Sequence, residues 1–372
     1  MNEMAMAALA YAAAKYKATG LAAAASNDGK LVFEGALGLR DKANGLPATA
    51  GTVFRMASLT KPISAMTLLT LADEGKADLD ADIGDYLGYR VRNPHWPDVP
   101  LTLRQLMTHT SSLTDGGSYA RIVTGELPAW RLSEVLKPGG RGDSPDNWLP
   151  DRPGTRYDYS SFGTGVMGAV GERISGMKFA ELVRRRLFIP LGLDDASLDA
   201  GELSGAEVAA PDFGTGLDAK RAEKTEETKR ELCALPVGEA YRAPQGNGYM
   251  RARDLLTVLQ TLLDGGKSRG VRLLSGKAVQ EMCAVQFDNG VIRVGLNLQF
   301  HNDIAPQTLI GHYGRAAGAL AVAMLDPARK AAAAVLCNGA EMTPDLNGIY
   351  GNTLFGMQAM RGLWAACFPQ GQ

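Results

Sequence analysis

Strand-like apolar runs lie near both ends of this chain, with helical patterns between them, and this distribution limits the possible folds more than any other feature. Leu21–Ala25 and residues 30–37 flank Ser26-Asn27-Asp28-Gly29, and an Asp-Gly turn between two such runs reads as a β-hairpin. Further runs occur at 291–299, 316–325 and 331–337, the last two joined by the turn signal Asp326-Pro327-Ala328-Arg329. Helices are expected at 4–17, 58–74, 103–107, 161–174, 179–188, 252–263 and near 346–366, with long Pro/Gly/Asp loops at 136–156 and 201–222. The pattern predicts an α+β fold: an antiparallel sheet flanked by helices, with a mostly helical inserted domain. Residues 1–78 and 245–372 would form the domain built from both termini and 79–244 the insertion, with the active site between them.

Composition narrows the partners. Of 372 residues 45% are hydrophobic and 21% charged, enough for a large core. Lys+Arg (39) nearly balance Asp+Glu (40), and no stretch is basic enough to suggest nucleic acid or a membrane surface. A small molecule is the expected partner. The cysteines (Cys233, Cys283, Cys337, Cys367) form no C-x-x-C and read as reduced thiols. His95, His109, His301 and His312 are too scattered for a metal-ligand pair, so no structural or catalytic zinc is expected. No apolar run reaches the ~18 residues of a membrane span. The N-terminal stretch carries Glu3 and no basic residue before Lys15, which does not read as a secretion signal; a cytoplasmic protein is expected.

Chemistry is carried first by Ser58-Leu59-Thr60-Lys61. At a helix N-terminus, the i, i+3 spacing puts Ser58 and Lys61 on one face, and the free N–H groups there suit a developing oxyanion. Pro62 falls within the first turn, where a missing N–H disturbs little. The four-residue pattern is common by chance and recurs at Ser175-Gly176-Met177-Lys178, which trails a helix and reads as structural. Two other blocks single out the first copy: Tyr157-Asp158-Tyr159-Ser160-Ser161 and Gly311-His312-Tyr313-Gly314.

With these three motifs in order, the chain resembles the serine β-lactamase and penicillin-binding protein superfamily, nearest its class C and family VIII carboxylesterase branch. Supporting stretches are Leu101–Leu113, Gly246–Met250 with Arg253-Asp254-Leu255, and Ala334–Asn338. The resemblance implies a β-lactamase/transpeptidase-like fold and acyl transfer through a covalent acyl-enzyme without a cofactor. It implies Ser58 as nucleophile, Lys61 as its activator, and Tyr159 as general base and later proton donor, its phenolate supported by Lys61. Backbone N–H groups of Ser58 and Arg315 would form the oxyanion hole, and Ser161, His312, Tyr313 and Gly314 the substrate-binding rim. Two positions depart from the family. Ser161 stands where an Asn is usual, and His312 where a Lys favours a substrate carboxylate. Both departures favour an esterase over a β-lactamase, with a D-amino-acid amide or peptide hydrolase, or a penicillin-binding sensor that stays acylated, as alternatives. Arg315 could restore a carboxylate anchor only if strand alternation turned it into the cleft.

Other patterns are decoys. Gly266-Lys267-Ser268-Arg269-Gly270 matches G-x-S-x-G but trails a helix instead of forming a strand-to-helix elbow. Thr261 stands where a P-loop's first Gly belongs, and Ile83 replaces the Gly that an EF-hand at Asp78, Asp80 and Asp82 requires. Arg141-Gly142-Asp143 reads as surface-loop coincidence. His109 is expected to fix a helix end. Tyr119, Trp130, Trp148 and Phe162 are candidates for an acyl pocket or for ordinary core.

Overall fold

The computed structural model describes residues 2–213, 217–343, 350 and 353–369, with side chains at 217–223 left out. Its centre is a nine-stranded antiparallel sheet. The strands are β1 (Gly20–Asn27), β2 (Lys30–Asp41), β3 (Leu46–Pro47), β4 (Phe287–Asp288), β5 (Arg293–Val294), β6 (Gln299–His301), β7 (Leu309–Ala316), β8 (Ala319–Asp326) and β9 (Ala331–Cys337). Their order is β3-β2-β1-β9-β8-β7-β6-β5-β4, so the first and last strands pair at the centre, Leu21 opposite Cys337.

β1 and β9 each carry a run of four alanines, which suits a sheet covered on both faces. Ala22, Ala24, Ala332 and Ala334 face one core, while Ala23, Ala25, Ala331 and Ala333 face the other. Small side chains let helices approach from both sides. On one face lie Asn2–Lys15 and Leu354–Cys367, packed against each other. On the other, Ala252–Leu263 covers β1 and β9, and Thr60–Asp73 and Ser161–Ser175 continue the same apolar cluster outward. The α+β architecture expected from sequence is present.

Three expectations need correction. The run 291–299 is not one strand: only Arg293–Val294 and Gln299–His301 pair, and Asn297 between them has φ +52°. The expected loop at 201–222 overlaps a helix, Leu217–Ala234. That helix lacks an apolar stripe, and ion pairs such as Lys224–Glu227 and Lys229–Glu226 lie along it, so hydrophobic periodicity could not find it. The last helix begins at Leu354; the earlier part of its expected span includes 344–349, outside the described residues.

Candidate active site

The site lies where helix Thr60–Asp73 meets the part of β7 beyond its pairing with β6. A short 3-10 turn, Ala57–Leu59, leads into the helix. Ala57 takes φ +46°, a left-handed conformation that a non-glycine residue holds only when its surroundings impose it. Those surroundings are visible. The Met56 N–H donates to Gly248 O (2.7 Å), and the Thr60 hydroxyl donates to Ala57 O (2.7 Å) while accepting from the Gly248 N–H. Gly314 of β7 lies against Met56, where an added Cβ would stand 2.0 Å from the Met56 carbonyl oxygen. The nucleophile is thus held from both sides.

The i, i+3 spacing brings Lys61 Nζ to 3.1 Å from Ser58 Oγ. Lys61 is fully buried; it also donates to Gln245 O (2.8 Å) and reaches Ser161 Oγ at 3.4 Å. Burial, assisted by the Arg242 cation and opposed by Asp115, lowers its pKa to about 7. Ser161, despite its short side chain, does reach the lysine.

Tyr159 sits in the turn before helix Ser161–Ser175. Ser160 caps that helix, its hydroxyl accepting from the Gly163 N–H (2.8 Å) and donating to Asp115 Oδ1 (3.2 Å). His109, with φ +56°, accepts the Ser160 N–H on Nδ1 (3.2 Å) and lays its ring 4.5 Å from that of Tyr159. It therefore shapes the tyrosine's loop as well as ending its own helix. Lys61 Nζ stands 5.0 Å from the Tyr159 ring centre. Burial pushes the pKa of Tyr159 well above its ordinary value and outweighs the nearby Ser58 hydroxyl, which favours the phenolate. Tyr159 accordingly carries its proton in the resting site, against the phenolate that the resemblance suggested.

The rim divides along β7. His312 and Gly314 lie opposite Ala323 and Ala321, on the cleft side of the sheet; Tyr313 and Arg315 lie opposite Val322 and Leu320, on the far side. His312 is buried and holds Tyr313 O at 2.6 Å through Nδ1. Because a carbonyl only accepts, Nδ1 carries the hydrogen and Nε2 offers a bare lone pair, with no partner in the site. Burial and the neighbouring Lys61 lower its pKa to about 3, so it is neutral. The Tyr313 side chain is no part of the cleft: its hydroxyl meets Met357 Sδ at 2.8 Å in the opposite core. The Arg315 side chain is exposed on that same far face and cannot serve as a carboxylate anchor.

The second S-x-x-K copy is not assembled: Ser175 Oγ bonds Gly171 O, while Lys178 Nζ bonds carbonyls of Cys233 and Leu235. Tyr119, Phe162 and Trp148 are buried in the core, Tyr119 stacked on Phe162 at 4.8 Å, and Trp130 packs partly buried against it. Sequence reasoning missed Asp115, Arg242 and the Gln245 carbonyl. The acid at 115 follows the Leu101–Leu113 block closely enough to have been noticed; a backbone carbonyl leaves no residue signal. A cavity of about 570 Å³ is lined among others by Arg55, Arg242 and Ala316–Leu320, and Arg242 is linked to Lys61 through Gln245. Among the described residues no His/Cys/Asp/Glu group could hold a metal, and no helix is long and apolar enough to cross a membrane.

Comparison with known proteins places this geometry in context. A family model described as Beta-lactamase matches residues 6–354. Protein Rv1367c of Mycobacterium tuberculosis is 28% identical over 276 residues, covering 68% of this chain and 64% of that protein. Esterase EstB of Burkholderia gladioli is 32% identical over 193 residues, 49% of this chain and 48% of the esterase. The chain thus spans less than two thirds of the length of these relatives. Among solved structures, the octameric penicillin-binding protein homologue from Pyrococcus abyssi superimposes with a TM-score of 0.71 at 21% identity, covering 95% of this chain and 75% of that one.

Proposed function

We propose that this chain, which belongs to the β-lactamase family, is a serine carboxylesterase working through an acyl-enzyme on Ser58. The observation that carries the reading is the buried Lys61 amine, its pKa near 7, 3.1 Å from the Ser58 hydroxyl. A neutral amine there accepts the serine proton at physiological pH. As Ser58 Oγ adds to the ester carbonyl, its proton passes to Lys61. The tetrahedral intermediate then collapses, breaking the bond to the alcohol oxygen, which takes a proton from Tyr159. Lys61 returns its proton to Tyr159. Water repeats the sequence on the acyl-enzyme and frees the acid.

The oxyanion hole is assigned to the N–H groups of Ser58 and Arg315. The two-residue loop Ala317-Gly318 makes Ala316 and Ala319 the closing pair of the β7–β8 hairpin. Hydrogen bonding alternates along an antiparallel pair, so Arg315 points its N–H away from β8, off the outer edge. There β6 pairs only with Leu309–Gly311, so among the described residues no strand pairs with Arg315 on that side. An ester substrate fits the rim better than a β-lactam, because neutral His312 and the short Ser161 supply neither the cation nor the amide of the lactamase motifs. Similarity to an esterase supports the same ranking.

The test is hydrolysis of p-nitrophenyl butyrate beside the chromogenic cephalosporin nitrocefin, in wild type and Ser58→Ala. Ester turnover lost in Ser58→Ala, with an acyl adduct on Ser58 in intact-mass spectra of the wild type, is expected. Undiminished turnover in the variant refutes the nucleophile. Faster cleavage of nitrocefin than of the ester reverses the substrate ranking, and a stoichiometric burst without turnover indicates a sensor.

A further inference from the structure

Neither candidate carboxylate anchor on β7 is available: His312 is neutral, and the Arg315 side chain faces the opposite side of the sheet. Another cation lies near the site. Arg242 is three residues from Gln245, whose carbonyl holds Lys61, and it lines the 570 Å³ cavity together with Arg55 and Ala316. Gln245 ties this wall of the cavity to the nucleophile: its Oε1 accepts from Arg242 (2.6 Å), and its carbonyl accepts from Lys61, which reaches Ser58.

The charges of the cavity wall are largely spent on one another. Glu226 accepts from Arg55 (2.6 Å) and from Lys229, Asp212 from Lys42 (3.0 Å), and Glu341 from Lys17 (2.6 Å). Arg242 meets no carboxylate among the described residues. Its partners are neutral: Nη1 donates to Gln245 Oε1 (2.6 Å) and to the Tyr119 hydroxyl (3.1 Å). A guanidinium has five N–H donors in a rigid fork, and these bonds use only Nη1. They fix the plane of the group, while Nε and Nη2 meet no hydrogen-bond partner among the described residues and the side chain is half-buried. A preoriented cation with a free donor edge, in a cavity whose anions are already paired, suits a bidentate carboxylate.

We propose that this cavity receives the acyl chain of a dicarboxylic acid monoester, with Arg242 gripping the distal carboxylate while the ester carbonyl sits at Ser58. The assignment rests on the esterase reading above. Hydrolysis adds water across the ester C–O bond and releases the alcohol and the free diacid. Ala316, on the same side of β7 as His312 and Gly314, contacts the methylene chain, and the chain length that fits best is the one that spans from Ser58 to Arg242.

The test compares mono-p-nitrophenyl succinate, glutarate and adipate with neutral p-nitrophenyl esters of equal chain length. Wild type is expected to prefer at least one anionic ester by about tenfold to a hundredfold in kcat/KM, as a charge-assisted hydrogen-bonded pair would give. Arg242→Gln should collapse that ratio through KM, and Arg242→Lys should restore part of it. Because Arg242 also acts on Lys61, the ratio of anionic to neutral ester at each pH is the readout, not the absolute rate. A wild-type ratio near or below one, or a ratio unmoved in a folded Arg242→Gln, overturns the proposal. Neutral-ester turnover that depends on Ser58 keeps the esterase reading separate from either outcome.

Discussion

At Lys61, burial and one neighbouring carboxylate pull in opposite directions. Desolvation and the Arg242 cation favour the neutral amine, whereas Asp115 favours the ammonium. Activity that needs the amine therefore rises with pH through about 7. Asp115→Asn keeps an acceptor for the Phe162 N–H and the Ser160 hydroxyl but removes the charge, so the acid limb of kcat/KM should move to lower pH. Lys61→Arg, which cannot lose its proton, should cut turnover by about 10²- to 10⁴-fold. A pH–rate profile checks both; a limb unmoved in Asp115→Asn would assign it to another group. The serine and lysine were legible because one helical turn links them. Arg242 was not, and the effect of Asp115 on the lysine was not, because both are a matter of distance through space.

At the level of elements, the nucleophile's turn is held by a strand far away in sequence. Gly314 leaves no room for a side chain against Met56, and Met56 leads directly into the strained Ala57. Gly314→Ala should destabilise by about 1–3 kcal/mol, the usual range for overpacking, and lower kcat as the turn is displaced. Thermal melts and kinetics of the folded variant measure the two effects, and a wild-type kcat would show that the turn does not depend on this contact. A glycine after His312-Tyr313 was visible as part of a motif; its steric reason was not. The polar helix Leu217–Ala234 shows the converse. Intrinsic propensity and ion pairs sustain it, and neither leaves the apolar stripe by which helices are read from sequence.

On the scale of the whole molecule, three imidazoles lie buried at His109, His301 and His312, each with its pKa lowered by burial. An unfolded chain protonates histidine near pH ~6.5, while the folded protein keeps His312 neutral down to about 3. Protons therefore bind the unfolded state preferentially across that interval. Stability is complete above about pH 6.5 and declines as pH falls, by up to about 1.4 kcal/mol per pH unit for each such histidine. Urea unfolding between pH 5 and 7 should show this decline, and His312→Gln should flatten it by roughly one histidine's share. An unchanged slope in that variant would mean that His312 titrates normally in the folded chain.

The sequence by itself determined the sheet built from both ends, the hairpins that close it, and the S-x-x-K face of the first helix after them. All three depend on short-range periodicity and turn chemistry, which act between residues a few positions apart. Tertiary structure decided which S-x-x-K copy meets a tyrosine, that Lys61 is stripped of water, and that Tyr313 and Arg315 face away from the cleft. It also brought Arg242 and Lys61 onto the same glutamine, Gln245. Strand alternation makes opposite faces equivalent in sequence until one is covered, and desolvation exists only once the chain has packed.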